Sequence, residues 1–175
     1  MSYYDLDEII SDGQRVPCKF NVTVPKVGYL EGTPGTDVKA GTKLELPFWI
    51  AEVLAMSPSS PNSDEAFLDL LQPDALQKRV INAIKANPVS LDVHSISPHF
   101  YALVEKWCLL FGDKELSTVA QAMLKERSDE INNFAQNTRG THQESGFLFS
   151  LDEYEKQLYK ASHESYKELK KWMLE

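Results

Sequence analysis

The nine residues Phe48-Trp49-Ile50-Ala51-Glu52-Val53-Leu54-Ala55-Met56 limit what this chain can fold into more than any other stretch. Pro47 stands just before them, where proline suits the first turn of a helix. The run is apolar nearly all the way round, with Glu52 its only charge. A helix of that kind has little face to give to water and must be covered on several sides at once. The same surplus recurs twice. Ser97-Pro98 opens a predicted helix with Phe100, Tyr101, Leu103, Val104, Trp107, Cys108, Leu110 and Phe111 before Gly112. The last helix sets Tyr159, Tyr166 and Met173 beside a stripe of Leu151, Tyr154, Leu158, Ala161, Leu169 and Trp172. A bundle from 175 residues needs one apolar stripe per helix. Surplus patches mark partner surfaces, so obligate association is expected.

Around these helices the pattern predicts an α+β, mainly α fold: a small β-rich N-terminal module at 1–46 and a helical domain of about five helices at 47–175. Asp5 to Ile10 reads as a short helical turn closed by Asp12-Gly13. Val16 to Val24 is rich in β-formers, and Pro17 and Pro25 relegate it to an edge or short strand. The glycines between Gly28 and Gly41 predict tight turns, and Lys43 to Leu46 alternates as a second strand. Residues 57–65, rich in serine and proline, predict a flexible loop. A short helix is expected around Phe67 to Leu71, and another behind Asp74 with the stripe Leu76, Val80, Ile81 and Ile84. Asp113 opens a long helix through Leu116, Val119, Met123, Ile131 and Phe134, closing near Thr138-Arg139-Gly140. Ser150-Leu151-Asp152-Glu153 reads as a capping box for the last helix.

The net charge of −8 argues against autonomous nucleic-acid binding, because phosphates need a basic field. Lys167, Lys170 and Lys171 cluster on the last helix, where the helix dipole alone favours cations. Two cysteines, Cys18 and Cys108, without a CxxC pair, read as free buried thiols of a reducing compartment. No basic or apolar leader and no membrane-spanning run is visible, so an intracellular, soluble chain is expected.

Three constellations test for chemistry. Gly35 to Lys43 imitates a phosphate loop, but its glycines are six apart, Thr42 precedes Lys43, and a strand follows. Asp92, His94 and His99 straddle Ser97-Pro98 and share no helical face, which favours capping or a buried hydrogen bond over a metal site. His142 and Ser145 have no third group to organise them. Neither enzyme nor cofactor is expected.

Two stretches carry a resemblance. The first is Tyr4 to Ile10, Val16-Pro17-Cys18, Gly28-Tyr29-Leu30-Glu31 and Gly41-Thr42-Lys43-Leu44-Glu45-Leu46-Pro47-Phe48-Trp49-Ile50-Ala51. The second is Val89-Ser90-Leu91-Asp92-Val93-His94 followed by Ser97-Pro98-His99-Phe100-Tyr101. In this order and spacing, the chain resembles the third-subunit family of the eukaryotic GINS complex. The resemblance implies a non-catalytic structural subunit of a nuclear heterotetramer whose partners are the other three GINS subunits, the MCM ring and its RecJ-like co-activator. Together these form the replicative helicase of DNA replication initiation and fork progression. It also implies that Leu44, Leu46, Phe48, Trp49 and Ile50 pack the junction of the two modules, so Trp49→Ala is expected to be strongly destabilising. His99, Phe100, Tyr101, Trp107, Leu158, Leu169 and Trp172 are expected in the core or at subunit interfaces. The alternative is a self-contained helical adaptor that binds one partner helix.

Overall fold

In the computed structural model, which describes residues 5–59, 65–136 and 144–174, Asp5 caps the first helix. Its side chain accepts the Asp7 N–H, and α1 (Leu6–Asp12) runs to Gly13. β1 (Arg15–Phe20) follows, and it is the middle strand of the sheet rather than an edge. β2 (Lys43–Pro47) and β3 (Leu68–Leu70) flank it, both antiparallel. Pro17 is tolerated there because its backbone faces β3 just where that strand has ended. Its carbonyl accepts the Leu71 N–H at 2.8 Å, and no ladder donor is required of it.

The alternation of β1 buries Val16, Cys18 and Phe20 on one face. The connection to β2 folds as a single-turn 3-10 helix at Gly28–Glu31 and an isolated bridge between Val24 and Val38. Gly28 is pressed against the turn that follows: a Cβ there would lie 2.6 Å from the Thr33 and Thr36 carbonyl oxygens. Residues 67–71, expected as a helix, supply β3, because Leu68 is needed as a buried strand residue opposite Phe20. The stems of the 57–65 loop are paired: Phe67 donates to Ser57 and Ser59 to Glu65.

α2 (Phe48–Met56) lies across all three strands. The chain accordingly divides into units Met1–Asp74 and Ala75–Glu175, not at residue 46, because α2 belongs with the sheet. Leu46, Phe48 and Ala51 are buried, and Leu44 and Ile50 half-buried. Trp49 is not packed: it is 56% exposed. One residue along a helix turns the side chain by about 100°, so with Phe48 and Ala51 on the sheet, Trp49 points away with Val53 and Met56. The covering that this helix was expected to need is therefore absent from the stripe of Trp49, Val53 and Met56.

The second unit holds α3 (Lys78–Ala86), α4 (Val93–Ile96), α5 (Phe100–Phe111), α6 (Lys114–Gln136), α7 (Glu144–Phe149) and α8 (Glu153–Leu174). Asp74 does not cap α3; it begins a 3-10 turn, and Gln77 is the N-cap. Gly112, left-handed at φ 66°, ends α5, and the Asp113 carboxylate accepts the Leu116 N–H to start α6. α6 is the hub, packing on α3, α5 and α8 through Leu116, Ala120, Met123, Arg127, Ile131 and Ala135. Thr138-Arg139-Gly140 and His142 lie outside the described residues.

Phe48→Ala is expected to cost about 3–5 kcal/mol, and Trp49→Ala about 0.5 kcal/mol or less. Urea unfolding of the full chain at low concentration, followed by far-UV circular dichroism, checks this. A Trp49 variant as damaged as the Phe48 variant would contradict the exposed placement.

Candidate functional site

α6 and α8 each place one charge at a core position. Arg127 stands four residues from both Met123 and Ile131 on the buried stripe of α6. Glu155 stands in the first turn of α8. Both side chains are completely buried and form a bidentate pair: Nε donates to Oε1 at 2.6 Å and Nη2 to Oε2 at 2.9 Å. The remaining guanidinium protons go to backbone. Nη1 reaches the carbonyls of Pro88 (2.8 Å), Leu91 (3.0 Å) and Val89 (3.4 Å), and Nη2 that of Ser150 (3.4 Å). The Phe147 ring closes the cage, 5.2 Å from the guanidinium carbon.

Glu155 receives two further donors. The Tyr101 hydroxyl donates to Oε1 at 2.8 Å and the Asp152 N–H to Oε2 at 3.3 Å. Asp152 reciprocates by accepting the Glu155 N–H at 2.8 Å, so the capping box of α8 is Asp152 to Glu155. It falls two residues later than the sequence reading placed it. Ser150 is occupied otherwise: its hydroxyl donates to the Phe147 carbonyl, and its own carbonyl accepts the Val93 and His94 N–H groups. Asp152 also accepts the Tyr101 N–H at the start of α5. Burial pushes the Asp152 carboxyl up to about 6, with the Glu155 N–H opposing and the Glu155 carboxylate adding to the rise. The Tyr101 phenol is driven far above its ordinary range, first by burial and then by Glu155.

This cluster is built to hold helices, not to react. Its charges are fully enclosed and hydrogen-bonded, and a substrate has no approach to them. Burial likewise pushes the Cys18 thiol up to about 11, away from the reactive thiolate. Asp92, offered above as a ligand, caps α4 through the Ser95 N–H at 3.0 Å and the Ser95 hydroxyl. Those bonds hold its carboxyl below the usual range. His94 Nδ1 lies 4.0 Å from the Glu153 carboxylate, on the neighbouring turn of α8. Gly35 to Lys43 runs into β2, so no helix N-terminus is available for a phosphate.

The expected core and interface residues separate into two sets. Phe100 and Trp107 are core, Tyr101 joins the charge cluster, and His99 and Leu158 are half-buried. Leu169 and Trp172 are exposed. α8 runs alongside α6 in the same direction: Ser162 donates to Asn132 at 2.8 Å, and His163 to the Ala135 carbonyl at 2.9 Å. From Glu164 onward α8 passes Gln136, the last described residue of α6. That overhang carries Leu169, Trp172, Met173 and Leu174 in the open, with Lys170 over the Tyr166 ring. Sequence reasoning missed Arg127 and Glu155, although a charge at a stripe position was a visible signal. Among the described residues, no helix is long and apolar enough to cross a membrane.

Two family models match the chain, the PSF3 N-terminal domain over residues 4–56 and the GINS complex protein helical bundle domain over residues 75–174. The second unit is therefore the helical bundle of GINS complex proteins. Similar proteins span nearly the whole chain. The DNA replication complex GINS protein PSF3 of Debaryomyces hansenii is 51% identical over 172 residues, 98% of this chain and 97% of that protein. That of Saccharomyces cerevisiae is 43% identical over 195 residues, covering 99% and 98%. The psf3 protein of Aspergillus fumigatus is 43% identical over 173 residues, covering 98% and 96%. The chain belongs to the PSF3 family of DNA replication complex GINS proteins.

Arg127→Met leaves the buried Glu155 carboxylate without its cation and is expected to destabilise by about 3–5 kcal/mol. Adding Glu155→Leu should recover part of that loss; a double variant as unstable as the sum of the singles would disprove the coupling. Asp152 is expected to make stability depend on pH. Its folded value lies above its unfolded one, so the folded chain keeps a proton that the unfolded chain has released. Stability from this group is therefore full below the ordinary carboxylate range and falls as pH rises towards about 6. Relative to wild type, Asp152→Asn should gain on the order of 2–3 kcal/mol between about pH 4 and about pH 7. Urea titrations of both proteins across that range measure it, and a constant difference would refute it.

Proposed function

We propose that this chain is a non-catalytic structural subunit of a nuclear GINS heterotetramer. In that role it helps assemble the active replicative helicase, the MCM ring with its RecJ-like co-activator, and hold it together during replication initiation and fork progression. The observation that carries the reading is family membership along nearly the whole length, through both matched domains. The physical character of the chain agrees with it. The polar cluster around Arg127 is sealed and structural, whereas the open surface of the described residues is rich in large apolar side chains. Leu169 and Trp172, on the part of α8 that passes α6, are the residues proposed to meet neighbouring subunits. Phe100, Tyr101 and Trp107 hold α5 in the bundle from which that arm projects, with His99 and Leu158 at its margin. A net charge of −8 leaves grip on DNA to other components.

The test is the native mass of the full chain expressed alone and co-expressed with the other three GINS subunits. A one-of-each tetramer, with the lone chain aggregating as concentration rises, is the expected result. A stable monomer that ignores the other subunits would replace this reading with that of a self-contained adaptor.

A further inference from the structure

In the first unit, α1 packs against α2, and both leave an apolar stripe uncovered. On α1 the stripe is Leu6, Ile9 and Ile10, and on α2 it is Trp49, Val53 and Met56. All six are more than half exposed. The spacings, i, i+3, i+4 and i, i+4, i+7, form the ridges that another helix packs against. The charges on these helices have a single sign. Asp5, Asp7, Glu8, Asp12 and Glu52 lie on or cap them, and neither helix contains a lysine or arginine. The first basic residue after Asp5 is Arg15, on β1.

We propose that α1 and α2 form a docking face for a basic amphipathic helix supplied by another subunit of the same assembly. The apolar ridges set the contact, and the carboxylates select lysine or arginine at the rim. Complementary charge of this kind fixes register and rejects wrong partners. It also rejects phosphate-bearing surfaces, whether nucleic acid or anionic membrane, which these carboxylates repel. Six large apolar side chains on two touching helices call for permanent cover rather than a passing encounter. A co-assembled subunit provides that, so the inference rests on the heterotetramer reading above. A second copy of this chain also has a basic apolar segment, around Lys167, Leu169, Lys170, Lys171 and Trp172, and the experiment separates it from the proposed partner.

The full chain is co-expressed with the other three subunits as wild type, as Trp49→Glu with Val53→Glu, and as Glu8→Lys with Glu52→Lys. A fourth form carries a benzophenone amino acid in place of Val53. The substituted positions lie outside the core, so the unfolding midpoint of the chain should hold in each variant. Recovery of both double variants in the purified tetramer should fall by at least about tenfold. Irradiation should link position 53 to one peptide of one partner subunit, with lysine or arginine flanking its apolar residues. If wild type assembles while both double variants enter the tetramer equally well, the docking face is overturned and the heterotetramer stands. A link to the α8 end of a second copy, or to a peptide without basic residues, overturns it too. Failure of wild type to assemble overturns both readings.

Discussion

A guanidinium sealed from bulk solvent dominates the architecture of the second unit. Taking Arg127 and Glu155 out of solvent costs several kcal/mol per ion, and that cost is offset only where nearly every donor and acceptor is satisfied. The satisfaction comes from many places: the loop carbonyls at Pro88, Val89 and Leu91, the turn at Ser150, the first turn of α8 and the hydroxyl of Tyr101. Each contributor must be in position for the pair to be tolerated. The pair therefore penalises alternative packings of α5, α6 and α8 more than it stabilises the correct one. For a subunit proposed to serve as a scaffold, a single fixed arrangement of helices matters more than a large margin of stability.

Much of this was legible beforehand, and the exceptions have specific causes. α1, β2, α2, α5 and α8 are visible as caps, alternation and helical periodicity. β3 was hidden because three residues are too short to show a period, and only the pairing of Leu68 with Phe20 makes them a strand. The central place of β1 was hidden by Pro17, whose effect depends on which neighbour its backbone faces. Trp49 was misplaced because an all-apolar helix gives no hint of which side meets the sheet. Arg127 and Glu155 were passed over because reading for apolar stripes skips the charges embedded in them. The second of the two stretches behind the family resemblance acquires a physical reason. Val89 and Leu91 lend carbonyls to Arg127 on α6, while Pro98 lends its carbonyl, and Tyr101 its hydroxyl and amide, to the segment that starts α8.

The uncovered surface is organised by charge as well as by hydropathy. The exposed apolar stripes of α1 and α2 are accompanied by carboxylates alone, while the overhanging end of α8 sets Lys167, Lys170 and Lys171 beside Glu164 and Glu168 among its apolar side chains. Apolar contact is indiscriminate, and a molecule with several such faces risks joining the wrong ones. Carboxylates alone on one surface and mixed charge on the other give each an identity that salt can weaken.

The sheet order has a consequence for how the chain is made. β1 pairs on one side with β2 and on the other with residues 68–70, which lie between the two spans that the family models match. During synthesis β1, β2 and α2 leave the ribosome before β3 emerges. For that interval the nascent protein holds only a two-stranded ribbon, marginal by itself and open along the edge of β1. At ~5–20 residues per second the gap lasts on the order of a second. The strand that closes the sheet is three residues long, yet its arrival is what ends the period in which this domain can pair with the wrong neighbour.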